Sequence, residues 1–188
     1  MLEKDRNAGA SGPQCKTSED FSKYVRNIPD FPKKGIIFKD ITNLLKNGAV
    51  FKQAVDKIAC EYAGKKIDAV VCIEARGFLI GSAIAYALGC GLVPIRKKGK
   101  LPWKVYRKEY DLEYGQDHVE VHQDGIIPGQ NILIVDDVIA TGGTVEAVVK
   151  LVKEMQGTIV GAAFLIELSF LNGREKIKDV PVFALINY

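Results

Sequence analysis

Two adjacent carboxylates, Asp136 and Asp137, follow the apolar run Ile132-Leu133-Ile134-Val135 and precede Val138-Ile139-Ala140-Thr141-Gly142-Gly143-Thr144. The run reads as a buried strand that ends in a small-residue loop opening a helix. In an open parallel sheet, ligands bind beyond the carboxyl ends of the strands, so the acids and the loop stand where a site belongs. Gly142 and Gly143 let backbone N–H groups turn inward, and Thr141 and Thr144 add hydroxyl donors. With the unpaired amides and positive dipole end of the following helix, they form a cradle for a phosphate group. The acids would repel that phosphate and are better used on sugar hydroxyls, or near a cation that accompanies a polyphosphate. The loop has neither GxxxxGK[ST] nor GxGxxG, so it is not a Walker loop or a dinucleotide fingerprint. A plain strand-to-helix turn, capped by Thr141 or Thr144 with both acids solvated, is the alternative these residues leave open.

Three other segments carry chemistry. In Ile73-Glu74-Ala75-Arg76-Gly77-Phe78 a second strand meets a helix start, and Arg76 is a permanently charged, fork-shaped donor suited to phosphate oxygens. In Arg96-Lys97-Lys98-Gly99-Lys100-Leu101-Pro102, followed by Tyr110-Asp111-Leu112-Glu113-Tyr114-Gly115, cations gather in what reads as a long loop. Loops of that length inside a small domain serve function or stay disordered; here mobility suits a lid that excludes water from a pyrophosphate group. Finally, Ile36-Ile37-Phe38 is apolar yet sits in a loop region framed by Pro29, Pro32 and Gly35.

The elements that must position these residues alternate between helix and strand. Asp20, three residues after Thr17, completes a capping box for a helix carrying Phe21, Tyr24, Val25 and Ile28 on one face. Phe51, Val55, Ile58 and Ala59 mark a second helix, Phe78–Leu88 a third, and Val145–Met155 a fourth, closed by Gly157. Strands are expected at Ile67–Ile73, Leu92–Ile95, Val119–Val121 (half-exposed), Asn131–Val135, Ile159–Ile166 and Val182–Ile186. Apolar strands without alternation, separated by amphipathic helices, imply an α/β fold: an open, mainly parallel twisted sheet flanked by helices. One domain over 16–188 is expected, with a small N-terminal hood at 28–42, a flexible lid at 97–117 and a disordered tail at 1–15.

At 47% hydrophobic and 26% charged, the chain of 188 residues has an ordinary globular composition. Its formal charge of +3 gives no argument for nucleic acid. No apolar stretch approaches the ~18–20 residues that cross a bilayer, and the polar start Met1-Leu2-Glu3-Lys4-Asp5-Arg6 is not a secretory signal. Cys15, Cys60, Cys72 and Cys90 show no ligand spacing and read as reduced thiols of a cytoplasmic protein. His118 and His122 have no visible ligand partners, so a zinc site is not expected.

The 132–144 segment resembles the phosphoribosyl-pyrophosphate (PRPP) signature of the type I phosphoribosyltransferases. That resemblance implies that Asp136 and Asp137 hold the ribose hydroxyls and that Ala140, Thr141, Gly142, Gly143 and Thr144 bind the 5-phosphate. The other segments resemble the adenine-specific branch. Glu74, Ala75, Arg76 and Gly77 would contact pyrophosphate, Arg76 foremost. Arg96-Lys97-Lys98-Gly99-Lys100-Leu101-Pro102 and Leu112-Glu113-Tyr114-Gly115 match its flexible catalytic loop. Arg96, Lys97 and Lys100 would then serve the substrate, Glu113 would stand near the purine nitrogen, and Tyr114 would belong to the lid. Asp30–Ile41 resembles its hood, where Ile37 would pack on the base and main-chain groups near Ile37 and Lys39 would read its edge. The resemblance runs from about Phe21 to Tyr188. It implies transfer of phosphoribose from PRPP to adenine, giving AMP and pyrophosphate, with Mg²⁺ held mainly by PRPP and water, in a homodimer. Trp103, where a glycine is usual, and Lys39, where arginine is frequent, depart from the pattern. A hypoxanthine or guanine enzyme of the same family and a non-catalytic PRPP-binding regulator are the competing readings.

Overall fold

Ala69–Ile73, a run of fully buried apolar and β-branched residues, forms the central strand of a seven-stranded sheet. The computed structural model describes residues 15, 18–111 and 116–188. In chain order, the strands are β1 (Arg26–Pro29), β2 (Ile37–Asp40), β3 (Ala69–Ile73), β4 (Gly91–Lys97), β5 (Val105–Asp111), β6 (Gln116–His122), β7 (Asn131–Ile139), β8 (Thr158–Glu167) and β9 (Val182–Asn187). The α-helices are α1 (Thr42–Lys46), α2 (Gly48–Glu61), α3 (Arg76–Leu88) and α4 (Gly143–Glu154). The large sheet runs β5-β6-β4-β3-β7-β8-β9, parallel from β4 through β9 and closed at one end by the antiparallel β6 and β5. Strand order reverses at β3: β4 lies on one side of it and β7 on the other. The switch point lies between β3 and β7, and such a point opens a crevice outside the carboxyl ends of its two strands.

Alternate residues of each strand feed two cores. Val71, Ile73, Ile132 and Ile134 face α4, whose Val145, Val148, Leu151 and Val152 pack on them. Val70, Cys72, Leu133 and Val135 face the other way, onto Val50, Ala54, Val55 and Ile58 of α2 and Ile80 and Ile84 of α3. Burial pushes the Cys72 thiol up to about 12, so it is an inert apolar packer.

Several expectations are corrected. The first helix is a single 3-10 turn, Phe21–Tyr24, with Asp20 accepting from the Ser22 N–H; Thr17 lies outside the described residues. Val25 is extended, and Ile28 sits in β1 opposite Phe38. Pro29 and Pro32 cannot continue a helix, and pairing with β2 captures the segment instead. Arg26 ties that ribbon down through Asp40, 2.7 Å away. Within the segment expected as a loop from 97 to 117, Val105–Asp111 forms β5 and pairs antiparallel with β6, which begins at Gln116; residues 112–115 lie outside the described residues. The charges of β5 sit on a sheet edge, and Lys108 pairs with Glu154 of α4. On the strand expected to be half-exposed, Val119 and Val121 are buried, but so is Glu120 between them, 1% exposed and paired with Arg107 at 2.5 Å. After α4, Gln156 rather than Gly157 takes the left-handed conformation, at φ 60°. Cys15 and Cys60 are disulfide-bonded, Cα–Cα 5.5 Å, which overturns the expectation of four free thiols. The two cysteines lie 45 residues apart, a pairing that no sequence spacing displays. Cys72 and Cys90 are free. Apart from Cys15, the tail expected to be disordered lies outside the described residues. No helix among the described residues is long and apolar enough to cross a membrane.

Candidate active site

The two loops meet because their strands do. Cys72 of β3 stands opposite Val135 of β7, so Glu74–Gly77 and Asp136–Ala140 leave the same sheet edge. Contact is closest at Gly77, where a Cβ would lie 2.6 Å from Asp136 Oδ1 and 3.2 Å from Asp136 Cα. Only glycine lets α3 start this close to β7. A cavity of about 360 Å³ opens here. The hood segment Ile36–Lys39 walls one side. Glu74, Ala75 and Arg76 wall the second, and Asp136, Asp137, Val138, Ala140 and Leu168 close the rest.

Arg76 spans this space. Its Nε lies 2.8 Å from Asp137 Oδ2, its Nη1 donates to the Lys39 carbonyl at 3.2 Å, and its guanidinium sits 4.6 Å from the centroid of the Phe38 ring. The contact with Asp137 is an ion pair without an aligned hydrogen bond, and it seals Oδ2 from solvent. Asp136 Oδ1 accepts the Asp137 N–H at 2.8 Å. Burial, then the neighbouring Asp137 charge, holds the Asp136 carboxyl well above its ordinary range. Burial also raises Asp137, while Arg76 pulls it back.

These shifts fix a pH dependence. Each carboxyl has a folded-state value above its unfolded one, so the folded chain binds more protons in the window that opens near 3.8. Stability contributed by the protonated forms is therefore present below that window and lost as pH rises through it. Asp136→Asn keeps the acceptor for the Asp137 N–H and removes the charge. It is expected to raise the melting temperature at pH 8, by about 2–4 °C for each kcal/mol recovered, and to change it little at pH 4. Calorimetric scans at the two pH values check this.

In the loop before α4, Gly142 adopts φ +79° and caps that helix, its carbonyl accepting the Glu146 N–H at 2.9 Å. Gly142 and Gly143 are buried, Thr144 half-buried and Thr141 exposed. The Tyr110 hydroxyl donates to Asp117 at 3.3 Å. Asp117 in turn pairs with Lys97 at 3.1 Å, so the hairpin is linked to β4 through side chains. Arg96 Nε lies 2.5 Å from Glu74 Oε2, which ties β4 to the first loop. Lys100 is exposed in the turn after β4 and does not line the cavity. Trp103 sets its ring edge-on to His122, 6.2 Å between centroids. Glu113 and Tyr114 lie outside the described residues.

Sequence reasoning missed four contributors, Ile36 of the hood among them. Phe38 is the ring beneath Arg76, and Val138 and Leu168 complete the cavity wall. Leu168 follows β8 directly, so the rule that placed the other loops at strand ends points to it as well. Lys39 resolves differently. Its ammonium lies 2.9 Å from Asn27 Oδ1 and 3.4 Å above the Tyr188 ring, so Arg76 meets only its backbone carbonyl. Lys39→Met is accordingly expected to leave the apparent affinity for the base within about twofold, because the ammonium is turned to Asn27 and Tyr188 and the carbonyl is kept; steady-state kinetics check it.

The phosphoribosyl transferase domain family matches residues 40–186. The chain is 55% identical over 169 residues to an adenine phosphoribosyltransferase of Brachyspira hyodysenteriae, covering 90% of this chain and 99% of that one. Among solved structures, the adenine phosphoribosyltransferase of Thermoanaerobacter pseudethanolicus superposes with a TM-score of 0.87 at 47% identity, covering 89% and 98% of the two chains. That of Saccharomyces cerevisiae, solved with an imino-altritol bisphosphate and adenine, gives 0.83 at 38% identity, covering 88% and 98%. With the cavity at the β3–β7 switch and the loops around it, these likenesses show that the chain belongs to the adenine phosphoribosyltransferases of the phosphoribosyltransferase family.

Proposed function

We propose that the chain transfers the phosphoribosyl group of PRPP to adenine, releasing AMP and pyrophosphate, as a step of purine salvage. The observation that carries this reading is the meeting of hood, first loop and second loop around one cavity bridged by Arg76. An elongated substrate with phosphates at both ends fits such a crevice. The 5-phosphate belongs on the amides and hydroxyls of Ala140 to Thr144, the ribose hydroxyls on Asp136 and Asp137, and the pyrophosphate on Glu74 to Gly77 with Arg76. Adenine belongs against Ile37, beside the main chain of Ile37 and Lys39.

Positive charge develops on the ribose as the anomeric bond opens, and the carboxylates of Asp136 and Asp137 favour it. Arg76 holds the departing diphosphate and, through the Lys39 carbonyl, fixes the hood that aligns the base. Glu113 is assigned the purine proton, and Arg96, Lys97, Lys100 and Tyr114 the closing side of the site. Among the described residues, no three His, Cys, Asp or Glu side chains gather to hold a metal. Mg²⁺ belongs to the reading as an ion carried on the phosphates and water of PRPP. When bound, it supplies charge neutralisation to the diphosphate.

A homodimer is part of the proposal, supported by Leu79 and Tyr86 of α3 and Leu92 of β4, which are 53%, 88% and 43% exposed. A cytoplasmic setting is part of it as well; in that reducing compartment the Cys15–Cys60 pair would stand open. The reaction is tested by incubating the protein with PRPP, Mg²⁺ and adenine, hypoxanthine or guanine in turn. AMP and pyrophosphate in equal amounts from adenine alone support the reading. Preference for a 6-oxopurine, or PRPP binding without nucleotide formation, overturns it.

A further inference from the structure

The parallel strands β8 and β9 are joined by two 3-10 turns, Ser169–Leu171 and Gly173–Ile177, where a crossover α-helix is usual. The Leu168 N–H donates to the Ile139 carbonyl at 3.0 Å, and the Ser169 N–H to the Tyr188 carbonyl at 2.8 Å. Asn172, at φ 53°, then turns the chain so that Gly173 is buried against the back of the 140–142 loop. A Cβ on Gly173 would lie 2.3 Å from the Ala140 carbonyl oxygen and 3.0 Å from the Gly142 nitrogen. Reciprocally, a Cβ on Gly142 would lie 2.3 Å from the Gly173 carbonyl oxygen. Neither residue can gain a side chain without displacing the other's backbone.

The turn is itself held firmly. Arg174 Nε lies 2.6 and 2.7 Å from the two oxygens of Glu167, its Nη2 reaches Oε2 at 2.5 Å, and its Nη1 donates to the Val182 carbonyl at 3.0 Å. Glu167 is only 7% exposed, and Ile177, at 1%, anchors the far end of the turn in the core. A charge-assisted, forked pair of this kind fixes geometry as well as adding energy.

We propose that Gly173 and Arg174 are positioning residues for phosphoribosyl transfer: together they form the rear wall that sets the Ala140–Thr144 amides for the 5-phosphate. The inference rests on the reaction proposed above. Pushing the loop forward or turning its amides weakens hydrogen bonds to phosphate steeply, and the effect falls on the phosphate-bearing substrate rather than on the base.

The test measures KM for PRPP and for adenine separately, with equilibrium PRPP binding by calorimetry, in wild type, Gly173→Ala and Arg174→Lys. Gly173→Ala is expected to raise both KM and Kd for PRPP about ten- to a hundredfold, the scale of one lost charge-assisted hydrogen bond. KM for adenine at saturating PRPP stays near the wild-type value. Arg174→Lys keeps the charge but loses the fork and gives a smaller change of the same sign. It also decides the matter if Gly173→Ala does not fold. Ile84→Val, a core substitution remote from the loop, supplies a destabilised control whose two KM values stay as in wild type. Unchanged PRPP affinity in the folded variants, or an equal rise for adenine, overturns the inference. If wild type forms no nucleotide, the reaction fails separately, and PRPP binding still decides: weaker binding in the variants sustains the wall, while equal binding, or none by wild type, refutes it.

Discussion

Arg76→Ala is expected to lower kcat/KM about 10²–10³-fold, the scale found when one preorganised electrostatic donor is removed from a site. The structure gives the reason in three contacts: Asp137 at 2.8 Å, the Lys39 carbonyl at 3.2 Å and the Phe38 ring at 4.6 Å. The variant loses the cation facing the diphosphate and unties the hood from the sugar-binding strand end. Both substrates should therefore bind less well, with the larger loss for PRPP. Arg76→Lys should recover only part of the activity, because a compact ammonium cannot stack on Phe38 while serving both Asp137 and the carbonyl. Stability should change little by comparison, since Asp137 left without its partner can take up a proton. Steady-state kinetics with melting curves check this, and full activity in the alanine variant would contradict the assignment.

Asp137→Ala is the second large effect, with turnover expected to fall about 10²-fold. Oδ2 of Asp137 is buried beside the Arg76 Nε, 2.8 Å away, so the substitution also removes the anion that orients that guanidinium. Without it, the ribose loses a hydrogen bond and the developing positive charge loses a nearby anion. The folded protein loses little, because burial already disfavours that carboxylate. Asp137→Asn separates the two contributions, since it keeps an acceptor oxygen and removes the charge. Rate measurements at saturating substrates, paired with thermal scans, decide; a melting temperature that collapses while turnover persists would make Asp137 a structural residue.

Much of this site was legible before any coordinates. The 132–144 and 73–78 segments announce themselves because a buried strand, a charge and a glycine-bearing turn coincide at one sheet edge, and strand pairing then places them side by side. The parallel sheet follows from unalternating apolar runs. What could not be read depends on contacts between distant segments. The 97–117 stretch has the charge of a loop, yet β5 within it pairs with β6 because an edge strand needs only one buried face. Phe21–Ile28 has helical spacing, yet the β1–β2 ribbon and two prolines overrule it. The pairing of Cys15 with Cys60 spans 45 residues, and the close approach of Gly173 to the phosphate loop joins segments more than thirty positions apart. Neither leaves a local signature. Lys39 shows the converse: its side chain departs from the family pattern, and its carbonyl is what the site uses.

The central claim, that one doubly phosphorylated sugar is gripped by both loops, is tested most directly by calorimetric titration of PRPP and of ribose 5-phosphate, each with Mg²⁺, into wild type and Arg76→Ala. Wild type should bind PRPP far more tightly than ribose 5-phosphate, and Arg76→Ala should erase most of that difference while leaving ribose 5-phosphate binding nearly unchanged. A difference that survives the substitution would mean that Arg76 and the phosphate loop do not share a ligand.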